Sequence, residues 1–311
     1  MVCRRNPLLF TAALGAVLGI GVAAGGCKAQ EPEAFQVRVI SIDAHGGPSL
    51  PEDRVRSIVR RSLQNSPSYG PAQRDQRSGS AKGDTLIATF EYRELPDAVD
   101  HGRDLMVRMT VEEPKGLADR LGAEGLDITV LLEREAGEAD LSTDLQLASD
   151  QLVTILQART DLARAQDGAI ERLLASEDPE LIILTLEWVR DHESHDQALA
   201  VADRVVDLIK HEDERVGLLA IETIGQIGGP EHVSTLLDRI HLADTHQVNR
   251  AYDALARLGG PEALGFLRFA ARNEDEPGRR AAAERALRRV AESDIVQPGG
   301  RGARLHNRGH R

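Results

Sequence analysis

Two periodicities divide the chain. In three segments between residues 86 and 132 apolar positions alternate with polar ones, and beyond Leu141 they return every three or four residues. Leu86, Ala88, Phe90 and Tyr92 share one side of an extended segment; so do Leu105, Val107, Met109 and Val111, and again Leu126, Ile128, Val130 and Leu132. Successive side chains of a strand point to opposite faces, so each segment predicts a strand with one dry face and one wet face. Residues 34–43 (AFQVRVISID) are apolar and β-branched and predict a further strand. Clean alternation is the pattern of an antiparallel sheet, which needs cover on one face only. A helix is predicted from Pro51, with Val55, Ile58, Val59 and Leu63 along one side, and a long one from about Leu141 to Arg164. Residues 67–83 are Gly-, Pro- and Ser-rich and predict a loop, and residues 94–102 a hairpin connection. A short helix is expected within residues 114–125. The expectation for residues 34–166 is therefore an α+β domain: a four-stranded antiparallel sheet with two helices on its dry face.

The second half carries a repeated string. Gly-Gly-Pro-Glu occurs at Gly228–Glu231 and again at Gly259–Glu262. An amphipathic segment precedes each copy, with Val216, Ala220, Ile224 and Ile227 in one and Val248, Ala251, Tyr252 and Leu255 in the other. Another follows each, with Val233, Leu236 and Leu237, and with Leu264 and Leu267. The paired glycines predict left-handed turns that end one helix. Pro230 and Pro261 suit the first position of the next, where a missing N–H costs nothing. Glu231 and Glu262 face the positive end of that helix dipole. The string thus predicts the hinge of a helical hairpin. Residues 178–192 and 197–212 predict an earlier pair whose hinge, HESHD, lacks the string, and residues 276–293 open another helix. Taken together, acid-x-x-Val, an Ala/Leu face and the Gly-Gly-Pro-Glu hinge are similar to HEAT repeats, especially their short bacterial forms. That resemblance implies an all-α solenoid over residues 167–293, capped at its start by the long helix of the sheet domain. The order strand, helix, three strands, helix also resembles small envelope-assembly lipoproteins, including the lipopolysaccharide-transport plug family, in topology alone.

The N-terminus is set apart from both halves. It has Arg4 and Arg5, an apolar run from Leu8 to Ala24, and then small residues before Cys27. This is the layout of a secretory signal. Ala24–Cys27 (AGGC) resembles the bacterial lipoprotein signal, which implies cleavage before Cys27 and lipidation of its sulfur. The alternative is an ordinary secretory signal cut near Ala24. The expected organisation is a signal peptide at residues 1–26, a tether at 27–33, the two structured regions, and a disordered Gly/Arg-rich tail at 294–311. Lys28, in place of an Asp after the Cys, favours the periplasmic face of the outer membrane.

Charge and composition narrow the partners. The formal net charge is −12, and removing residues 1–26 takes away two arginines and no acid. So acidic a chain repels nucleic acid, and no nucleic-acid partner is expected. Aromatic residues make up 3% of the chain, too few for a carbohydrate-stacking groove. The only Cys besides Cys27 is Cys3, inside the signal, so neither a disulfide nor a Cys-based zinc site is available.

The histidines invite a test for metal chemistry. His192-Glu193 and His211-Glu212 bring to mind deoxyhypusine hydroxylase, a HEAT-repeat enzyme whose His-Glu pairs hold iron. Here the pairs end different helices of one hairpin and would not converge. His192 and His195 are three apart, but no further ligand joins them. Bilin lyases also use this repeat, on cytoplasmic partners that the signal peptide argues against. Trp188 falls in register with Leu181 and Leu184 and is expected in the core. No residue is assigned a catalytic or metal-binding role, and no cofactor is expected.

What remains is an interaction protein. The leading expectation is a non-enzymatic envelope lipoprotein whose solenoid binds another envelope protein, with the N-terminal lipid in the membrane. The surface expected to bind lies on the second helix of each pair, around His232, Thr235, Arg239, Gly265 and Arg268. One alternative is an assembly or transport accessory lipoprotein in which the α+β domain does the work. Another, from a different class, is a metal-dependent HEAT-repeat enzyme.

Overall fold

A computed structural model describes residues 35–45, 49–71, 85–96, 103–112, 126–133, 140–164, 166 and 168–296. The expectations for the signal, Cys27, the tether, the short helix within residues 114–125 and the tail beyond 296 lie outside the described residues.

The chain enters on strand β1 (Phe35–His45), crosses through helix α1 (Glu52–Gln64) and adds a short strand β2 (Tyr69–Pro71). Strands β3 (Thr85–Pro96), β4 (Arg103–Glu112) and β5 (Leu126–Leu132) follow. They form one five-stranded sheet in the order β2-β1-β3-β4-β5. β3, β4 and β5 are antiparallel neighbours, but β1 runs parallel to both β2 and β3. The sheet is therefore mixed and five-stranded, where a four-stranded antiparallel one was expected. Alternation reports only which face is wet. Direction is set by the connection, and a helix between β1 and the next strands returns the chain to the same end of the sheet. β2 escapes notice because three residues show no period, and its Pro71 suits an edge.

The bulge in β1 has a matching signature. The register with β3 shifts between Val39 and Ser41, leaving Ile40 exposed. Val39 and Ile42, three positions apart, can then both pack on the dry face.

That face is covered by α1 and by the long helix α2 (Leu141–Ala163). Val55, Ile58, Val59 and Leu63 meet Leu145, Ala148, Leu152 and Leu156 over Phe90, Leu105 and Val107. Each fully buried valine, isoleucine, leucine or phenylalanine among them contributes roughly 1.5–3 kcal/mol. Farther along α2, Ala158 and Leu162 leave this core and join a second one, which runs on to Val290. Ile155 touches both.

The second core lies between two rows of helices. One row holds α4 (Pro179–Asp191), α7 (Glu214–Ile227), α9 (Thr245–Leu258) and α11 (Pro277–Val296). The other holds short helices: α3 (Ala169–Leu174), α5 (Asp196–Ala200) and α6 (Ala202–Asp207), then α8 (Val233–Arg239) and the longer α10 (Gly260–Asn273). Residues 197–212, expected as one helix, break at Val201 (φ −99°, ψ 9°) and finish in a tight turn at Leu208–Lys210. That turn brings the carbonyl of Ile209 against Gly217 of α7, where a Cβ would approach it to 2.8 Å. α11 extends to Val296, so the expected start of the tail at 294 falls inside a helix.

An acid opens each helix of the first row. Asp178, Asp213 and Asp244 accept the backbone N–H groups of Glu180, Arg215 and His246, and Glu276 accepts those of Gly278 and Arg279. These caps satisfy donors that the first turn leaves orphaned.

The two identical hinges fold differently. Gly259 and Gly260 have φ of +70° and +84°, the positive φ that the string predicts, although ψ at Gly259 is −160°. Gly228 and Gly229 do not: their φ values are −78° and −124°. At the first hinge glycine is needed for clearance, since a Cβ on Gly228 would lie 2.8 Å from the Leu258 side chain. The hinges also stack, because a Cβ on Gly260 would lie 2.9 Å from Pro230. Pro230 heads a tight turn, Pro230–His232, before α8, and Pro261 is the second residue of α10.

Candidate partner-binding surface

The five residues expected to bind a partner do not form one surface. His232 turns inward, its side chain only 12% exposed. Its Nδ1 accepts the N–H of Gly229 at 3.1 Å, so the ring hydrogen sits on Nε2, which faces Asp203 of α6 at 3.4 Å. Arg239 reaches the same helix and pairs with Asp207 at 2.6 Å. These two join α8 and the turn before it to α6. Thr235, Gly265 and Arg268 are exposed on α8 and α10.

Beside them stands a residue the sequence reading passed over. Phe269 of α10 is 65% exposed. On the same helix Ala263, Leu267 and Ala270 are buried. Two residues past Leu267 is about 200° around the helix, which puts Phe269 on the outer side. Gly265, one turn earlier, has nothing within 4 Å of where a Cβ would be. An aromatic ring next to an empty glycine position leaves a flat apolar step in a polar helix face. Its visibility in the sequence lay in the phase of FLRFAAR, where the second Phe falls off the Leu/Ala stripe.

The other row carries a cleft of about 320 Å³ across α4, α7 and α9, lined by Arg190, Glu222, Gln226, Arg250, Asp253 and Arg257. Glu222 takes Arg190 at 3.8 Å and Arg250 on its other oxygen. Asp253 is held by Arg289 of α11. Gln226 bridges its neighbours when its amide nitrogen donates to the carbonyl of Arg190 and its oxygen accepts from Arg257. The ladder joins successive helices at mid-height and above, and Glu180–Arg215 joins α4 to α7 near their starts.

A second concavity, about 300 Å³, lies where α1, α2 and α3 meet. Its buried carboxylate, Asp161, is engaged by Arg172 at 2.7 Å and by the Gln157 amide. The polar groups there answer one another.

At the divergent first hinge Trp188 is half-buried rather than fully enclosed. Its ring stacks on His192 at 4.3 Å and meets His195 edge-on. His192 Nδ1 lies 2.8 Å from the carbonyl of Trp188, and His195 caps α5. The two imidazoles thus fill the place of the glycine hinge. Among the described residues no group of three or more His, Cys, Asp or Glu is placed to hold a metal ion.

The row, its acid caps and its stacked hinges agree with what a comparison of the sequence shows. Residues 206–288 match the model for HEAT repeats. The match begins in α6 and runs into α11, so both Gly-Gly-Pro-Glu hinges lie within it. It supports a HEAT-repeat domain in this part of the chain, and such repeats commonly mediate protein–protein contacts. No curated protein and no solved structure matched the chain. Among the described residues no helix is long and apolar enough to cross a membrane.

Proposed function

We propose that this chain is an envelope lipoprotein, anchored through Cys27 at the periplasmic face of the outer membrane, that holds another envelope protein on its HEAT repeats and performs no catalysis itself. The observation that supports binding on the second row is Phe269. An aromatic ring left 65% exposed beside the open position at Gly265 is an unused anchor. Buried aromatic and arginine anchors carry most of the energy of protein interfaces, and Arg268 adjoins this one. Thr235 supplies a hydrogen-bonding rim. His232 and Arg239 support the surface from behind. The anchor rests on the sequence before Ala34, the basic start, apolar run and AGGC.

Two experiments test the two parts. A photo-crosslinking amino acid at Phe269 or Thr235, in the native host, should give one discrete adduct, absent when the probe replaces Leu131 on the sheet. Equal labelling from all three positions, or none from any, would defeat the binding surface. Intact mass and membrane fractionation of the wild type beside Cys27→Ala test the anchor. Acyl mass and outer-membrane flotation of the wild type alone are expected. An unmodified chain cut near Ala24 would leave a soluble adaptor instead.

A further inference from the structure

The cleft on the first row has its own chemistry. Arg190 of α4 and Arg250 and Arg257 of α9 line one space of about 320 Å³, with Glu222 and Gln226 of α7 between them. Each guanidinium offers five N–H donors in a rigid fork. The acceptors facing them are few. Glu222 is shared by Arg190 and Arg250, and Asp253 is engaged from outside by Arg289. Asp191 meets Arg190 at 3.4 Å on the rim. Among the described residues Arg257 meets only the neutral amide oxygen of Gln226. Among the described residues the cleft's carboxylates thus go to Arg190, Arg250 and Arg289, and Arg257 is left facing a neutral partner, in a chain whose net charge is −12.

We infer that this cleft seats a carboxylate side chain from an acidic segment of a partner protein, held by Arg257 with Arg250 beside it. A planar fork matches a carboxylate with two parallel hydrogen bonds. The floor carboxylates and the acidic body of the chain disfavour a polyanion such as nucleic acid, whose charge would meet both. A single acidic side chain needs only Arg257 and Arg250. The inference builds on the proposed scaffold role but places its contact on the opposite row from Phe269.

The test uses the full mature chain and a fluorescein-labelled hexaglutamate peptide, followed by anisotropy at low and moderate salt. The wild type should bind it salt-dependently, while a hexalysine peptide should not bind. Arg257→Gln, which keeps hydrogen-bonding capacity but not charge, should weaken binding about tenfold, equivalent to about 1.4 kcal/mol. Glu222→Gln should tighten it several-fold, because it frees two guanidinium groups. A merely structural ladder would give no such gain. No binding by wild type, or equal binding by Arg257→Gln, overturns the inference. Displacement of the peptide by inorganic phosphate at comparable concentration would also overturn it, since the site would then read small anions. Phe269→Ser separates the two readings: it should abolish the crosslinked adduct and leave hexaglutamate binding unchanged.

Discussion

A methyl group placed on Gly225 would stand 2.8 Å from the Cα of Ala254, so α7 and α9 meet backbone to backbone. Gly265, in the other row, has nothing within 4 Å of the same position. The same substitution should therefore act with opposite sign at the two sites. Gly to Ala in a helix interior gains about 0.5–1 kcal/mol from the backbone. Overpacking costs about 1–3 kcal/mol. Gly225→Ala is expected to destabilise by about 1–2 kcal/mol net, since the atom it meets is backbone and cannot swing aside. Gly265→Ala is expected to stabilise by about 0.5–1 kcal/mol. Urea unfolding followed by helical circular dichroism checks both.

Gly259 sits at φ +70° and ψ −160°, a region that only glycine enters readily. Gly259→Ala should cost about 1–3 kcal/mol. Gly259→Asn should be no better, because asparagine tolerates the left-handed helical region, with ψ near +45°, and not this one. If Asn restored stability in thermal unfolding, the hinge would be an ordinary left-handed cap.

The acid caps make stability depend on pH. Asp213 is held below the usual carboxylate range by its bond from Arg215, aided by the N–H groups of the first turn. Backbone N–H groups of Gly278 and Arg279 lower Glu276 in the same direction. A carboxylate with a depressed folded pKa adds stability that is complete above its unfolded value, about 4. That stability is lost as pH falls through the lower folded value. Asp213→Asn retains a capping oxygen but cannot titrate. It should lose little at neutral pH and show a shallower loss below about pH 4 than the wild type. Denaturant midpoints across the acid range supply the comparison.

Tyr252 donates its hydroxyl to Glu274 at 2.6 Å, and Glu274 also takes Arg279 at 2.8 Å. Burial first, and then Glu274, push the phenol above its ordinary range. Its contribution is complete below the unfolded pKa of about 10 and declines as pH rises from there toward the folded value. Tyr252→Phe should cost about 1.5–3 kcal/mol at neutral pH, because the lost bond goes to a charged acceptor. It should also flatten the alkaline part of the stability profile, which phenolate absorbance during unfolding can follow.

Much of this fold is legible in the residues. Val55 to Leu63 and Leu145 to Leu156 mark their buried faces by spacing alone, and Asp178, Asp213 and Asp244 announce helix starts. The direction of β1 is not legible, because a strand's side chains alternate alike in either sense. The two hinge conformations are not legible either. Gly228 and Gly259 open the same string, Gly-Gly-Pro-Glu, and yet only the first has the Leu258 side chain against it. His232 and Arg239 read as surface residues from their helix phase, yet they turn toward Asp203 and Asp207 of a helix whose break at Val201 leaves no mark in the apolar spacing. The arginine cleft is lined by side chains from three helices, so no local pattern contains it.

Helix α2 gives its first half to the sheet's core and its last turns to the helical rows, and the described residues accordingly form one compact unit. The two halves therefore share a wall rather than meet at a border. A fragment ending near Arg164 would carry Ala158 and Leu162 bare, and one beginning after it would leave Ile170 and Leu174 without their cover. Recombination between relatives of such a chain could trade repeats at the far end freely, but could not exchange the sheet half without also matching every residue along that single rod.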